Sequence, residues 1–160
     1  DAGVFIITKT RYGVDPYTVV KSAERVAENI AEVMKTDDFF GKVMAQTQYD
    51  FNRSRFENVS ERVKRKRWQK ALQTSVTYGT GGLTISAFDK SPDKAMGLAA
   101  ASAEALAKQG WEYVGGDVTI KVVNTPVVTR LPARPNVLVN AVLGMMAGVM
   151  VAGVVLVRRG

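Results

Sequence analysis

The spacing of apolar residues changes several times along the chain, and each change predicts an element. Residues 3–10 (GVFIITKT) form a short apolar run rich in β-branched and aromatic residues, which predicts a strand. Val19, Ala23, Val26, Ala27, Ile30, Val33 and Met34 then recur at three-to-four spacing, the apolar face of a helix running to about Met34. Asp15 is placed to cap it, and Pro16 takes the first helical position, where a missing N–H costs nothing. Lys21, Glu24, Arg25, Glu28 and Glu32 fall on the opposite face. Thr36-Asp37-Asp38 predicts a break and a new cap, followed by a second helix from Phe39 to about Thr47. A third, highly charged helical stretch covers Ser54 to Leu72, with a sparse line at Phe56, Val59, Val63, Arg67 and Leu72.

From residue 74 to 88 the period falls to two, and Leu83, Ile85 and Ala87 share one face of a strand. Gly79, Gly81 and Gly82 interrupt the run and predict a hairpin or a bulged entry. Asp89-Lys-Ser91-Pro92 repeats the cap-then-proline signal and opens an Ala-rich helix to about Gln109, with Gly110 as a terminating glycine. Val118 to Val122 is a second clean strand, and residues 124–135 hold three prolines and read as an extended linker. Residues 136–157 carry no charge and end on Arg158 and Arg159. About 20 apolar residues are needed to cross a hydrocarbon core, so this run predicts a transmembrane helix. A buried core helix is the competing reading, but such a helix usually keeps a polar stripe, and none follows Asn140.

The predicted class is therefore α/β, an α+β sandwich with a small mixed sheet covered by helices, followed by a C-terminal transmembrane helix. Residues 1–123 are the α/β domain, 124–135 the linker, 136–157 the membrane helix and 158–160 a basic end. The apolar run Val4–Thr8 reads as a mid-domain strand, so residues upstream of Asp1 are expected.

Composition narrows the chemistry. The 160 residues include neither cysteine nor histidine. Thiolate chemistry, disulfides, and the commonest general base and metal ligand are thereby excluded. The net charge of +7 suits an anionic partner. Arg62, Lys64, Arg65, Lys66, Arg67 and Lys70 form a dense basic run around Trp68. A solvated helix face is the simple reading; contact with anionic lipid or an acidic polymer such as a glycan is the sharper one. Nucleic acid is not expected, because helical charge without a recognisable module is weak evidence. Glu24, Glu28 and Glu32, with Asp37 and Asp38, read as solvated helix surface rather than paired catalytic carboxylates. Gly79-Thr-Gly-Gly82 reads as a turn, since no Lys-Ser/Thr pair and no following helix make it a phosphate loop. Two glycosylation-type triplets, Asn52-Arg-Ser54 and Asn58-Val-Ser60, are short enough to arise by chance. Asn140, Gly144, Gly148 and Ala152 lie at four-residue spacing, a small-residue stripe suited to close helix packing. No catalytic, cofactor-binding or metal-binding set emerges.

With these residues in view, the chain resembles the Wzz-type polysaccharide chain-length determinants, the polysaccharide co-polymerases. DPYTVVKSAERVAENIAEVMKTDDFFGKV (15–43) is similar to that family's helical signature and the short break after it. GGLTISAFDKSPDKAMGLAAASAEALA (81–107) is similar to its strand, its Asp-x-x-Pro cap and its Ala-rich helix. The proline-bearing linker and terminal apolar run complete the order. The resemblance implies an inner-membrane protein whose main domain is extracytoplasmic. It also implies assembly with itself and contact with membrane lipids, a polysaccharide polymerase and the nascent glycan. Its role would be non-enzymatic: a scaffold that sets how long O-antigen, capsule or exopolysaccharide grows. Two departures stand out. A first span is absent, and residues 44–74 are short where many relatives carry a long helical arm. The alternative expectation is a structural surface protein that polymerises into a filament or lattice through its hydrophobic helix.

Overall fold

The computed structural model describes residues 2–8, 15–114, 118–128 and 137–159, with side chains described over 15–114, 119–128, 139–155 and at 158. The chain divides into a unit ending at Val128 and a second unit from Thr129. The first begins with strand β1 (Ala2–Thr8) and helix α1 (Pro16–Val33). Helix α2 (Asp37–Met44), a 3-10 turn (Arg53–Phe56) and helix α3 (Glu61–Ala71) follow. Strands β2 (Leu72–Thr77) and β3 (Gly82–Ala87) form a hairpin, and α4 (Pro92–Gln109), the short α5 (Trp111–Val114) and β4 (Val118–Asn124) complete the unit.

The four strands lie in the order β2-β3-β1-β4, and every neighbouring pair is antiparallel. The expected mixed sheet is thus corrected to an antiparallel one. Removing α2, the 3-10 turn, α3 and α5 leaves β-α-β-β-α-β with β1 and β3 central, which is the split βαβ, ferredoxin-like arrangement. The helices α2 and α3 are an insertion between α1 and the hairpin.

Local chemistry explains the boundaries. Asp15 Oδ2 accepts from Thr18 N at 3.2 Å and starts α1 behind Pro16. Thr36 Oγ1 accepts from Phe39 N at 3.3 Å and starts α2, and Asp37 and Asp38 place negative charge in its first turn. Before α4, Asp89 Oδ1 accepts from Ser91 N at 3.1 Å, an Asx turn feeding Pro92. Gly110 closes α4 with φ −65°, so it is not a left-handed cap. Its small size is what the site requires, because a Cβ there would stand 2.4 Å from Ile120 Cδ1.

The core lies between the sheet and α1, α2 and α4. Ala27 and Ile30 of α1 with Met34 at its C-cap, Phe39 and Val43 of α2, Leu83 and Ile85 of β3, and Leu98 and Leu106 of α4 are buried in one cluster. The alternation expected for 74–88 therefore holds at Leu83 and Ile85. Helix α4 buries seven residues, five of them Ala or Ser, and so approaches its neighbours closely. A Cβ on Gly97 would stand 2.1 Å from Asp50 O, which fixes the loop after α2 against this helix.

The third helical stretch divides into the 3-10 turn and α3, and of its expected apolar line Phe56 and Leu72 are buried in the core. Val63 is 38% exposed, and Trp68 and Ala71 are the residues α3 buries. Trp68 Nε1 donates to Met34 O at 2.8 Å, and its ring meets Phe40 and Phe56 edge to face at centroid distances of 5.1 and 5.9 Å.

In the second unit, helix α6 runs Val137–Arg159. Among the described residues, no helix is long and apolar enough to cross a membrane, which corrects the expected transmembrane segment. The physical reason is length. Asn140 interrupts the run and Arg158 ends it, leaving 141–157. That stretch is about 25 Å long against a hydrocarbon core of about 30 Å. Residues 129–136, with Pro132, Pro135 and most of the linker, lie outside the described residues, as do 9 and 10 at the end of the first strand.

Candidate functional site

The six basic residues singled out from the sequence fall on α3, but they do not form one surface. Arg65 grips Asp37 of α2, its Nε standing 2.9 and 3.1 Å from the two carboxylate oxygens and its Nη2 adding a closer contact. That pair holds the guanidinium above its ordinary pKa. Arg67 Nη1 donates to Arg55 O at 2.6 Å and fastens α3 to the 3-10 turn. Lys64 pairs with Glu61 at 2.7 Å and lies 5.5 Å from the Phe40 ring centroid. Trp68, at the centre of the run, is a core residue.

Arg62, Lys66 and Lys70 differ. All three are exposed, and none has an ion-pair or hydrogen-bond partner among the described residues. They stand at i, i+4 and i+8, which places them in one row along the helix at about 6 Å intervals. The sequence reveals the run, and the fold separates three anchoring cations from three free ones.

A second feature lies where α1 meets the β2–β3 turn, and sequence reasoning missed it. A groove of about 440 Å³ runs between Pro16, Tyr17, Val20 and Lys21 of α1 and Tyr78 and Gly79 of the turn. Glu24 forms its floor. Although its spacing puts it on the polar face of α1, Glu24 is buried, at 5% exposure. Its Oε1 accepts from Gly79 N at 2.5 Å and its Oε2 from Lys21 Nζ at 2.6 Å. The Lys21 ammonium and the Gly79 N–H hold this carboxyl below the ordinary carboxylate range, and the same pairing raises Lys21.

The turn is shaped for this contact. Gly79 and Gly81 have φ of +84° and +65°, and a Cβ on Gly81 would meet Ala23 Cβ at 2.6 Å. The Gly79–Gly82 segment is therefore a docking turn, as its lack of phosphate-loop chemistry implies. Tyr78 OH donates to Glu28 Oε1 at 3.2 Å, which raises the phenol's pKa. Two exposed tyrosine residues, at 68% and 67%, thus flank the buried Glu24 carboxylate and its exposed partner Lys21. The signal for Glu24 was present only as a relation between distant segments, an acid on a helix and a glycine turn whose N–H lacks an acceptor partner.

Elsewhere, acids and cations tie elements together. Lys42 of α2 pairs with Glu112 of α5, and Tyr113 OH donates to Asp38, so Asp38 ties α2 to α5 while staying exposed. Glu32 remains exposed beside Lys35. Among the described residues, no group of three acidic, histidine or cysteine side chains is placed to hold a metal ion.

On α6, Asn140, Gly144, Gly148 and Ala152 are all exposed, and a Cβ on Gly144 or Gly148 would meet nothing within 4 Å. Large apolar neighbours are uncovered as well, Met145 and Met150 at 72% each and Val149 at 68%. No family model matches the chain, and no curated protein matches it either.

Proposed function

We propose that this chain is a non-enzymatic, self-assembling scaffold that regulates the length of a cell-surface polysaccharide, acting at the inner membrane with its α+β unit on the extracytoplasmic side. The observation that carries the reading is the succession of parts. An Asp-Pro-capped α1, a Thr-capped α2, an Asx-turn-started small-residue α4 and an uncovered apolar α6 follow in the order of the chain-length determinants. A scaffold needs surfaces rather than a reaction centre. The chain supplies an apolar helix with exposed side chains and a small-residue stripe for copies of itself, and free cations and tyrosine rings for a glycan. In this reading polymerase and nascent chain are the further partners, and no cofactor is required.

The test is genetic and physical. The gene, with its natural flanking sequence, is placed in a bacterium lacking its own chain-length determinant. A shift of the glycan ladder from a broad to a modal length distribution supports the reading, and an unchanged ladder removes it.

A second reading is favoured by α6 itself. A helix exposed over its described residues 139–155 and short of a span can also bury its apolar surface in the core of a filament. Electron microscopy of the purified protein separates the two, with closed rings supporting the scaffold and open fibres supporting the filament.

A further inference from the structure

We propose that Arg62, Lys66 and Lys70 form a binding track for an acidic polysaccharide, a polymer whose sugar repeats carry carboxylates. The inference deepens the scaffold reading by naming the chemistry of the glycan.

The row is not needed to hold the fold. Its neighbours Lys64, Arg65 and Arg67 each have an internal partner, and the row has none among the described residues. Like charges at i, i+4 oppose helix formation, so two such pairs in succession work against α3. An external polyanion relieves that repulsion, and the about 6 Å interval lets one extended chain meet all three cations in turn.

The flanking residues favour a glycan over the other polyanions. Gln69, three positions after Lys66, is exposed beside the row and offers an amide to hydroxyl groups. A membrane-surface helix needs a band of apolar side chains next to its cations, but α3 turns Trp68 and Ala71 into the core and exposes one apolar residue, Val63. Single-stranded nucleic acid is held by stacking on exposed aromatic rings, and the one aromatic of α3 is 2% exposed.

The experiment measures binding of the whole protein to polygalacturonate by titration over a range of salt concentrations. Neutral dextran, duplex DNA and vesicles containing anionic lipid are run in parallel. Two triple variants each remove three charges. One is Arg62→Gln, Lys66→Gln and Lys70→Gln. The other is Arg25→Gln, Lys90→Gln and Lys121→Gln, three exposed cations away from the row. The expected result is salt-sensitive binding to polygalacturonate, weakened about tenfold or more by the row variant and little by the scattered one. Equal weakening by both variants overturns the proposal, because net charge alone would then explain binding. Tighter binding to DNA or vesicles than to the polyuronate overturns it too. Circular dichroism confirms that each variant is folded. The binding result does not depend on the glycan ladder, so a ladder left unchanged by a protein that still binds removes the length-regulating role and leaves the track.

Discussion

Glu24 is the residue at which the periodicity of α1 and the fold part company. Helical spacing assigns it to solvent, yet the glycine turn of the hairpin covers it and donates Gly79 N–H to its carboxylate. Because its folded pKa lies below the ordinary carboxylate value of 4.5, the unfolded chain binds the proton more readily. The stability it contributes is present above that value and is lost as pH falls through the depressed one. Glu24→Gln is therefore expected to lower the melting temperature at pH 7 and to flatten its fall between pH 5 and 3. An acid limb that coincides with the wild type would exclude this carboxylate as a source of acid sensitivity. Trp68 is the other such residue. In sequence it reads as an aromatic among surface cations, whereas it closes the core with an indole hydrogen bond to Met34 O. Trp68→Ala is expected to cost about 3–5 kcal/mol in chemical denaturation, and Trp68→Phe about 1–3 kcal/mol from the lost donor. Both positions were illegible for the same reason: each takes its environment from a segment far away in sequence.

At the level of elements the chain was largely legible, because caps and periods act locally. Asp15-Pro16, Thr36 and Asp89-Lys-Ser91-Pro92 open the helices they predict, and the glycines at 79–82 turn the hairpin. The long third helix was misread because charged residues at 57–62 continue a helical composition, while Asn58 adopts φ 52° and ends the run. Sheet order was not legible at all, since nothing in the strand sequences records that β1 lies between β3 and β4. Packing between elements yields a sharp test at Gly97. Gly97→Ala drives a Cβ into the Asp50 carbonyl and is expected to cost about 1–3 kcal/mol as the loop shifts. An unchanged denaturation midpoint would mean that this loop is not held against α4. The free row makes a prediction of opposite sign. Lys66→Glu replaces two repulsive pairs with attractive ones and is expected to stabilise α3 by about 0.2–0.5 kcal/mol per pair, while weakening polyuronate binding. Loss of both stability and binding would mean that the row serves the fold.

At the scale of the molecule, the α+β unit and α6 solve different problems. The unit buries its apolar faces on itself, around a ferredoxin-like sheet. Helix α6 leaves Leu143, Met145, Met146, Val149 and Met150 between 59% and 72% exposed. An apolar surface of this kind is a binding surface. The sequence made α6 conspicuous but led to its being read as a span, because a count of uncharged residues ignores the interruption at Asn140. Its stripe of Asn140, Gly144, Gly148 and Ala152 admits close approach by another helix, and assembly is what the scaffold reading requires of it. The most direct test is the molar mass of the purified protein in mild detergent, by light scattering across a concentration series, alongside Gly144→Leu/Gly148→Leu. The account predicts a defined homo-oligomer that the double substitution dissociates; a monomeric mass at every concentration would contradict it.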